Sequence, residues 1–333
     1  MTNNSEREWL FIKKIQRKEP ELLQSLPRLI ARLNSNQSKT NSLQKQLYNV
    51  QAGFSGERYI DRYLESLEVP ISLIVLTDIH LTLTPGNSFQ IDTLILSDRF
   101  LLILDVKNIA GNLHFTTNPN QLEQTLSTGE ETIMDCPLDQ LKTHIYVLQV
   151  WLAKRGINVD ILGRVIISSK SGRVKEAPEN APIIYRKGLP ILLNEMAKLP
   201  VIYSQNQLSE ISNVIKQSKV VFNPFPLCRH YDIDPTDLKR GQLCPNCFNS
   251  MIYKSHKQRQ CTSCGLIEPN NYQESLKDWF ILVNDSISNR ECREFLQLNN
   301  KDDAYYALKT LHLNKTGNSV STRYHWPSGK PFM

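Results

Sequence analysis

The chain has 333 residues, 40% of them hydrophobic and 22% charged, with a formal net charge of +6. That length holds two or three domains with proper cores. No apolar run approaches the roughly 18 to 20 residues needed to span a bilayer. The opening Met1–Trp9 is polar and carries Glu6, Arg7 and Glu8, so it does not read as a secretory signal. A cytoplasmic protein without a membrane partner is expected. Charge is unevenly placed: nine basic against four acidic side chains up to Lys45, and four basic with none acidic from Ala304 onward. Two basic ends suggest polyanion contact at the periphery, or simply a solvated helix face and an ordinary tail.

In chain order, Glu6–Leu33 is helical in pattern, broken at Pro20 and Pro27, and Asn34–Asn41 is a polar linker. Ser42–Leu67 reads as a long helix interrupted near Gly53, with Tyr59, Ile60, Tyr63, Leu64 and Leu67 as its apolar stripe. Strands follow at Ile71–Leu83, Phe89–Ser97 and Phe100–Asn108, with a fourth at Leu113–Phe115. Pro137–Lys154 is an amphipathic helix, Arg164–Ser169 a buried strand and Ile183–Tyr185 a short one. Pro190–Lys198 and Gln207–Ser218 add helices. This order predicts an α/β fold with a mixed sheet flanked by helices.

The chemistry concentrates at Gln90-Ile91-Asp92 and Leu104-Asp105-Val106-Lys107-Asn108, joined by strand, tight turn and strand. A period of two puts Asp105 and Lys107 on one face, and the hairpin returns Asp92 beside them. Two carboxylates can hold a hard divalent cation, and an ammonium can orient water or neutralise a phosphorane, as metal-assisted phosphodiester cleavage requires. A salt bridge from Asp92 to Lys107 would equally satisfy a buried carboxylate without any metal.

Four of the seven cysteines form Cys244-Pro245-Asn246-Cys247 and Cys261-Thr262-Ser263-Cys264. Paired C-x2-C knuckles suit a structural, tetrahedral Zn2+, because four thiolates leave no open coordination position. Between them lies a basic aromatic tip of Tyr253, Lys254, His256, Lys257 and Arg259 that could touch phosphate. Further on, Ser288-Asn289-Arg290-Glu291 is a capping box opening one helix, and Asp302 or Asp303 caps a second. A hairpin turn at Asn314–Asn318 then leads into Ser319–Tyr324. This looks like a winged helix-turn-helix, with Lys301, Tyr305, Tyr306 and Lys309 on the outer helix face. Lys315, Thr316, Thr322 and Arg323 would form the wing, and DNA is the expected partner.

The runs Gly53-Phe54-Ser55-Gly56-Glu57, Phe89-Gln90-Ile91-Asp92, Leu104–Asn108 with Gly111, and Pro137-Leu138-Asp139-Gln140 together resemble the NERD domain. NERD is a nuclease-related branch of the PD-(D/E)xK restriction-endonuclease-like superfamily, and the resemblance covers about Ser42–Ser169. It implies Asp92 and Asp105 as metal ligands, Lys107 as catalytic lysine, Glu57 as a supporting acid and Gln140 as a polar group facing the site. From the residues alone, Glu57 could instead pair with Arg58. Family members commonly place glutamate where Asp105 stands, and the shorter arm can shift metal geometry. Ile91, not proline, precedes Asp92, as is usual for this branch.

The expected organisation is a helical segment at 1–41, a nuclease-like domain at 42–222, a linker at 223–240, a zinc ribbon at 241–270 and a winged-helix-like domain at 271–333. The expected function is Mg2+- or Mn2+-dependent, endonuclease-like hydrolysis of DNA, possible as a homodimer. The alternative is a non-cleaving DNA-binding regulator or scaffold that keeps the fold. No Gly-x-Ser-x-Gly elbow, phosphate-binding loop or dinucleotide fingerprint supports another enzyme class.

Overall fold

Three consecutive apolar runs build the central sheet of the computed structural model, which describes residues 10–12, 14–34, 37–255 and 257–327. The start of the first expected helix, residues 6–9, and His256 of the basic tip lie outside these. The first elements are β1 (Leu10–Phe11), α1 (Leu22–Arg32), α2 (Gln37–Glu65), β2 (Glu68–Val69), β3 (Ile74–Thr84), β4 (Asn87–Leu96) and β5 (Leu101–Lys107). Next come β6 (Gly111–Thr116), β7 (Gln121–Thr125), β8 (Glu131–Asp135), α3 (Pro137–Ala153), β9 (Ile161–Ile167), β10 (Gly172–Glu176), β11 (Ile183–Tyr185), α4 (Leu189–Met196), α5 (Gln205–Ser218) and α6 (Leu227–His230). The chain continues with β12 (Met251–Ser255), β13 (Gln258–Cys261), β14 (Ile267–Pro269), α7 (Tyr272–Leu282), β15 (Ser286–Ile287), α8 (Asn289–Leu296), α9 (Lys301–Lys309), β16 (Asn314–Thr316) and β17 (Arg323–His325). These fall into two compact units, one of residues up to Glu19 with Gln51–Phe222, the other of Pro20–Val50 with residues from Asn223 onward. Among the described residues no helix is long and apolar enough to cross a membrane.

The first unit is a mixed α/β assembly around a sheet of order β11-β9-β5-β4-β3. β3, β4 and β5 run antiparallel, whereas β5, β9 and β11 are parallel. Leu101 and Ile103 face Leu141, Leu148 and Leu152 of α3 and Ile211 and Ile215 of α5. Leu102, Leu104 and Val106 face Ile60 and Leu64 of α2 and Leu192 and Leu193 of α4. Because both faces are covered, β5 is buried along nearly its whole length and reads as a continuous apolar run. A second sheet has the order β10-β6-β7-β8; β6, β7 and β8 lie between β5 and α3 in sequence, and β10 returns after β9. Gly111 starts it at φ +83°, where a Cβ would stand 2.5 Å from the Thr125 carbonyl oxygen.

The expected strands over 71–108 and the helices at 137–154, 190–198 and 207–218 appear within a few residues of their predicted ends. The N-terminal region differs. The chain over residues 14–20 is not helical, and among the described residues before 33 the only helix is α1. Pro20 lacks the N–H that a continuous helix would need, and burial of Ile12 and Ile15 favours the extended path. α2 starts at Gln37, inside the expected linker, and is unbroken at Gly53. An exposed glycine costs a helix only about 1 kcal/mol, which the packed residues downstream outweigh.

In the second unit, Leu26, Leu29, Leu33 and Leu43 pack with Leu227, Cys228, Ile233 and Leu238 and with Ile281 and Leu282. Segment 223–240, expected as a linker, thus contributes four buried side chains. The buried Arg32 guanidinium meets Asp278 at 2.6 Å, and Arg28 meets the same carboxylate at 2.6 Å. A ribbon of order β12-β13-β14 precedes a helical module whose sheet has the order β15-β17-β16. In that module the predicted capping box at Ser288 and Glu291 forms. The cap of α9 is Asn300, which accepts from Asp303 N at 2.8 Å, and not Asp302 or Asp303. α7 and β15 have no counterpart in the sequence reading.

Gly56 sits where α2 crosses the ends of β5 and β9. A Cβ there would lie 2.6 Å from Asn108 Cβ and 2.8 Å from Ser168 Oγ, whereas one at Gly53 meets nothing within 4 Å. Gly56→Ala should therefore lose about 1–3 kcal/mol. Gly53→Ala should be neutral or gain up to ~1 kcal/mol. Urea denaturation midpoints compared at constant slope check the contrast.

Candidate functional site

Strand register gathers the acids. Thr77 pairs with Thr93 and Ile79 with Ile91, so Asp78 stands opposite Asp92. Thr93 pairs with Leu104, which makes Asp105 the next position on the other side of Asp92. Three carboxyls on three adjacent strands therefore share one rung. Regular pairing fails there: Asp78 has φ 49°, and the Val106 N–H donates to Asp92 Oδ2 at 3.0 Å. Leu76 and Ile79 both face the same core, as do Ile91 and Leu94, so each strand breaks its alternation at this rung. Such strained backbone clusters at functional sites.

Lys107 Nζ lies 3.0 Å from Asp105 Oδ2 and donates to Gln140 Oε1 at 2.7 Å. It pairs with Asp105 and not with Asp92, contrary to the metal-free alternative read from the sequence. Asp92 makes no ion pair among the described residues. Asp105 is 2% exposed, and its Oδ2, though close to Nζ, has no hydrogen-bond partner. Gln140 stands exposed on the first turn of α3, at the mouth of the site. His144, one helical turn on, is close enough to feel the charges of Asp92 and Lys107, and burial holds its imidazole below the ordinary value.

Sequence reasoning missed the residue that ties these strands to α2. Arg17, buried and without regular secondary structure, donates through Nε and Nη2 to Asp61 at 2.8 and 3.2 Å. Its Nη1 reaches Glu57 at 2.7 Å and Asp78 at 2.8 Å. Nη2 also reaches the Asp92 carbonyl at 3.1 Å and Thr93 Oγ1 at 2.9 Å. Glu57 therefore pairs with Arg17, while Arg58 lies 3.7 Å from Asp61. Burial alone would lower the Arg17 pKa, but the Asp61 hydrogen bond and the charges of Glu57, Asp61 and Asp78 hold it above its ordinary value. No local pattern announces Arg17. Asp78 was detectable, since a carboxylate inside the apolar run Ile74–Leu83 poses the same burial problem as Asp92.

The acids are under-compensated. Burial, then the Asp92 charge, pushes Glu57 up to about 8 despite Arg17. Burial and then Asp105 raise Asp92, and burial raises Asp105 against the pull of Lys107. Crowded hard oxygens with one orphaned buried acceptor are a donor set that fits a divalent cation.

Residues 52–168 match the family model NERD, described as nuclease-related domain. This segment is a nuclease-related domain. No curated protein and no solved structure matches the chain. The NERD match takes in Glu57, Asp61, Asp78, Asp92, Asp105, Lys107 and Gln140, and it leaves Arg17 outside. A nuclease-related domain suggests nucleic-acid contact and divalent metal use.

In the second unit, the sulfurs of Cys244, Cys247, Cys261 and Cys264 all lie within 4.8 Å of one another. Separations of 3.6 Å for Cys244–Cys264, 3.4 Å for Cys247–Cys261 and 3.7 Å for Cys247–Cys264 are close to the ~3.8 Å edge of a tetrahedron with Zn–S near 2.3 Å. The cluster is compatible with a zinc ribbon. On α9, Lys301, Tyr305, Tyr306 and Lys309 are exposed, as is Lys315 on β16. Arg323, expected to contact DNA, instead meets Glu291 at 3.0 Å within the module.

Arg17→Met should leave buried carboxylates unpaired and cost about 3–5 kcal/mol, with Arg17→Lys intermediate. Urea denaturation of both variants checks this, and a loss below ~1 kcal/mol for Arg17→Met would remove the clamp from the account. Elemental analysis should find zinc on the purified chain. Cys261→Ser should release it, read by a chromogenic chelator.

Proposed function

We propose that the NERD domain is a Mg2+- or Mn2+-dependent nuclease that hydrolyses DNA phosphodiester bonds. Asp105 Oδ2 carries this reading, as a buried carboxylate oxygen that accepts no hydrogen bond, beside Asp92 and 3.0 Å from the Lys107 ammonium. Asp92 and Asp105 would hold the cation, which when bound supplies a water of lowered pKa and a Lewis acid for the phosphate. Lys107, aimed by Asp105 and Gln140, faces the scissile phosphate and neutralises charge as the new P–O bond forms. Glu57 stays on Arg17 and fixes the distance between α2 and the acid rung. Gln140 marks the open side from which a polymer enters.

The helical module supports targeting. Its order of helix, strand, two helices and hairpin, with β17 between β15 and β16, supports the winged helix-turn-helix reading. On this reading α9 presents Lys301, Tyr305, Tyr306 and Lys309 to DNA, with Lys315 on the wing, while Arg323 braces Glu291. Four thiolates fit a structural Zn2+ and a reducing, cytoplasmic compartment.

Supercoiled plasmid incubated with Mg2+, Mn2+ or EDTA tests the proposal. Nicking should require the cation and fall at least ~100-fold in Asp105→Ala and Lys107→Ala while DNA retention persists. Equal nicking by those variants points to contamination. Retention without nicking under any cation would instead favour the non-cleaving regulator.

A further inference from the structure

Tyr253 and Arg259, from the basic aromatic tip, do not lie on an open phosphate-binding surface. They face each other across β12 and β13 and line a cleft of about 490 Å3 between the ribbon and the helical module. That volume is within the ~300–1,000 Å3 range of small-ligand sites. Tyr272 and Tyr306 line it as well. Tyr253 and Tyr306 are 53% and 64% exposed, so both rings can be reached by an incoming group. Tyr306 is braced by Tyr305, whose ring lies edge-on at 5.9 Å.

The cleft is not built for an anion. Arg259 is 8% exposed and committed internally. Its Nε donates to Asn270 Oδ1 at 3.2 Å and an Nη donates to the Tyr272 hydroxyl at 3.1 Å. The guanidinium sits 5.9 and 5.8 Å from the ring centroids of Tyr253 and Tyr272, which fixes both rings. Asp303, on the rim, adds negative charge. The remaining polar groups are amides and the Thr310 hydroxyl, which is spent on the Ala307 carbonyl at 2.7 Å. Asn300 is used as the α9 cap and Asn271 as the α7 cap. Gln273, Gln297 and Asn299 also line the cleft, and their side chains make no hydrogen bond among the described residues. An amide offers a donor and an acceptor side by side, the pattern of a nucleobase edge, and tyrosine offers the stacking face.

We propose that this cleft binds an unpaired nucleobase, stacked on Tyr306 and Tyr253 and read at its edge by Gln297, Asn299 and Gln273. The inference rests on the nucleic-acid reading above and extends it: the protein engages single-stranded or extruded bases apart from the cleavage site. Duplex DNA would meet α9 and the wing, and a frayed or looped strand would enter the cleft.

The test uses the full chain in chelator-free buffer without added Mg2+ or Mn2+, so that no cleavage occurs while the zinc stays bound, with a fluorescein-labelled single-stranded 20-mer and its duplex as probes. Tyr306→Ala and Tyr253→Ala should each weaken single-strand binding roughly 5- to 150-fold by fluorescence anisotropy, the effect of losing one base stack. Tyr306→Phe should keep the affinity, and duplex binding by Tyr253→Ala, which lies off α9 and the wing, should change less than about threefold. Zinc content and circular dichroism matching the parent exclude misfolding. Unchanged single-strand affinity in both alanine variants, or equal losses on both probes in Tyr253→Ala, overturns the proposal. Cation-dependent nicking of plasmid, measured separately, still stands in that case. If the parent chain binds neither probe, the cleft proposal and the nucleic-acid reading fail together.

Discussion

The guanidinium of Arg17 holds the acidic site together. It joins α2 through Glu57 and Asp61, β3 through Asp78, and β4 through the Asp92 carbonyl and Thr93. Arginine suits this position because its planar fork carries five donors and keeps its charge when buried. The extended segment bearing it is pinned by burial of Ile12 and Ile15 and by the Ile15 N–H on Glu65 at 2.6 Å. A buried ion pair adds little net stability over an apolar replacement, yet removing one partner is costly. Arg17 therefore acts less as a source of stability than as a constraint. It allows several carboxyls to share one small volume.

That constraint has a geometric counterpart in the sheet. Asp78, Asp92 and Asp105 share one rung because strand register sets them opposite one another, and β3 and β4 both break their alternation at that rung, where β4 leaves its ladder with β5. A regular sheet would point neighbouring residues to opposite faces. Gly56 lets α2 approach the ends of β5 and β9, which brings Glu57 to the same region. The negative charge left after Arg17, Arg58 and Lys107 are counted fits the donor set proposed for a cation, and burial first, then the neighbouring acids, raises the Glu57 and Asp92 pKa values.

In the second unit a different economy applies. The ribbon buries little besides Cys244, Met251 and Cys261, with Cys247 and Leu266 against them, too small a core to fold unaided. Thiolate–metal bonds are the natural substitute. The helical module has its own apolar core, with Leu276, Ile287, Phe295, Leu296 and Leu308 among its buried residues. The cleft lined by Tyr253 and Tyr306 lies where the two meet.

What the sequence determined by itself is local. Period-two apolar runs placed the Asp92–Asp105 hairpin and its neighbouring lysine, C-x2-C spacing announced the thiolate cluster, and S-x-x-E marked the start of α8. Each depends on residues a few positions apart, so the pattern is written contiguously. The tertiary structure alone decided that Arg17 meets Asp61, Asp78 and Thr93, which lie 44, 61 and 76 positions away. It also decided that β6 pairs with β10, that residues 227–238 join a core, and that Lys107 turns to Asp105 and Gln140 instead of Asp92. These outcomes depend on contacts between residues far apart in the chain, and no local periodicity encodes those.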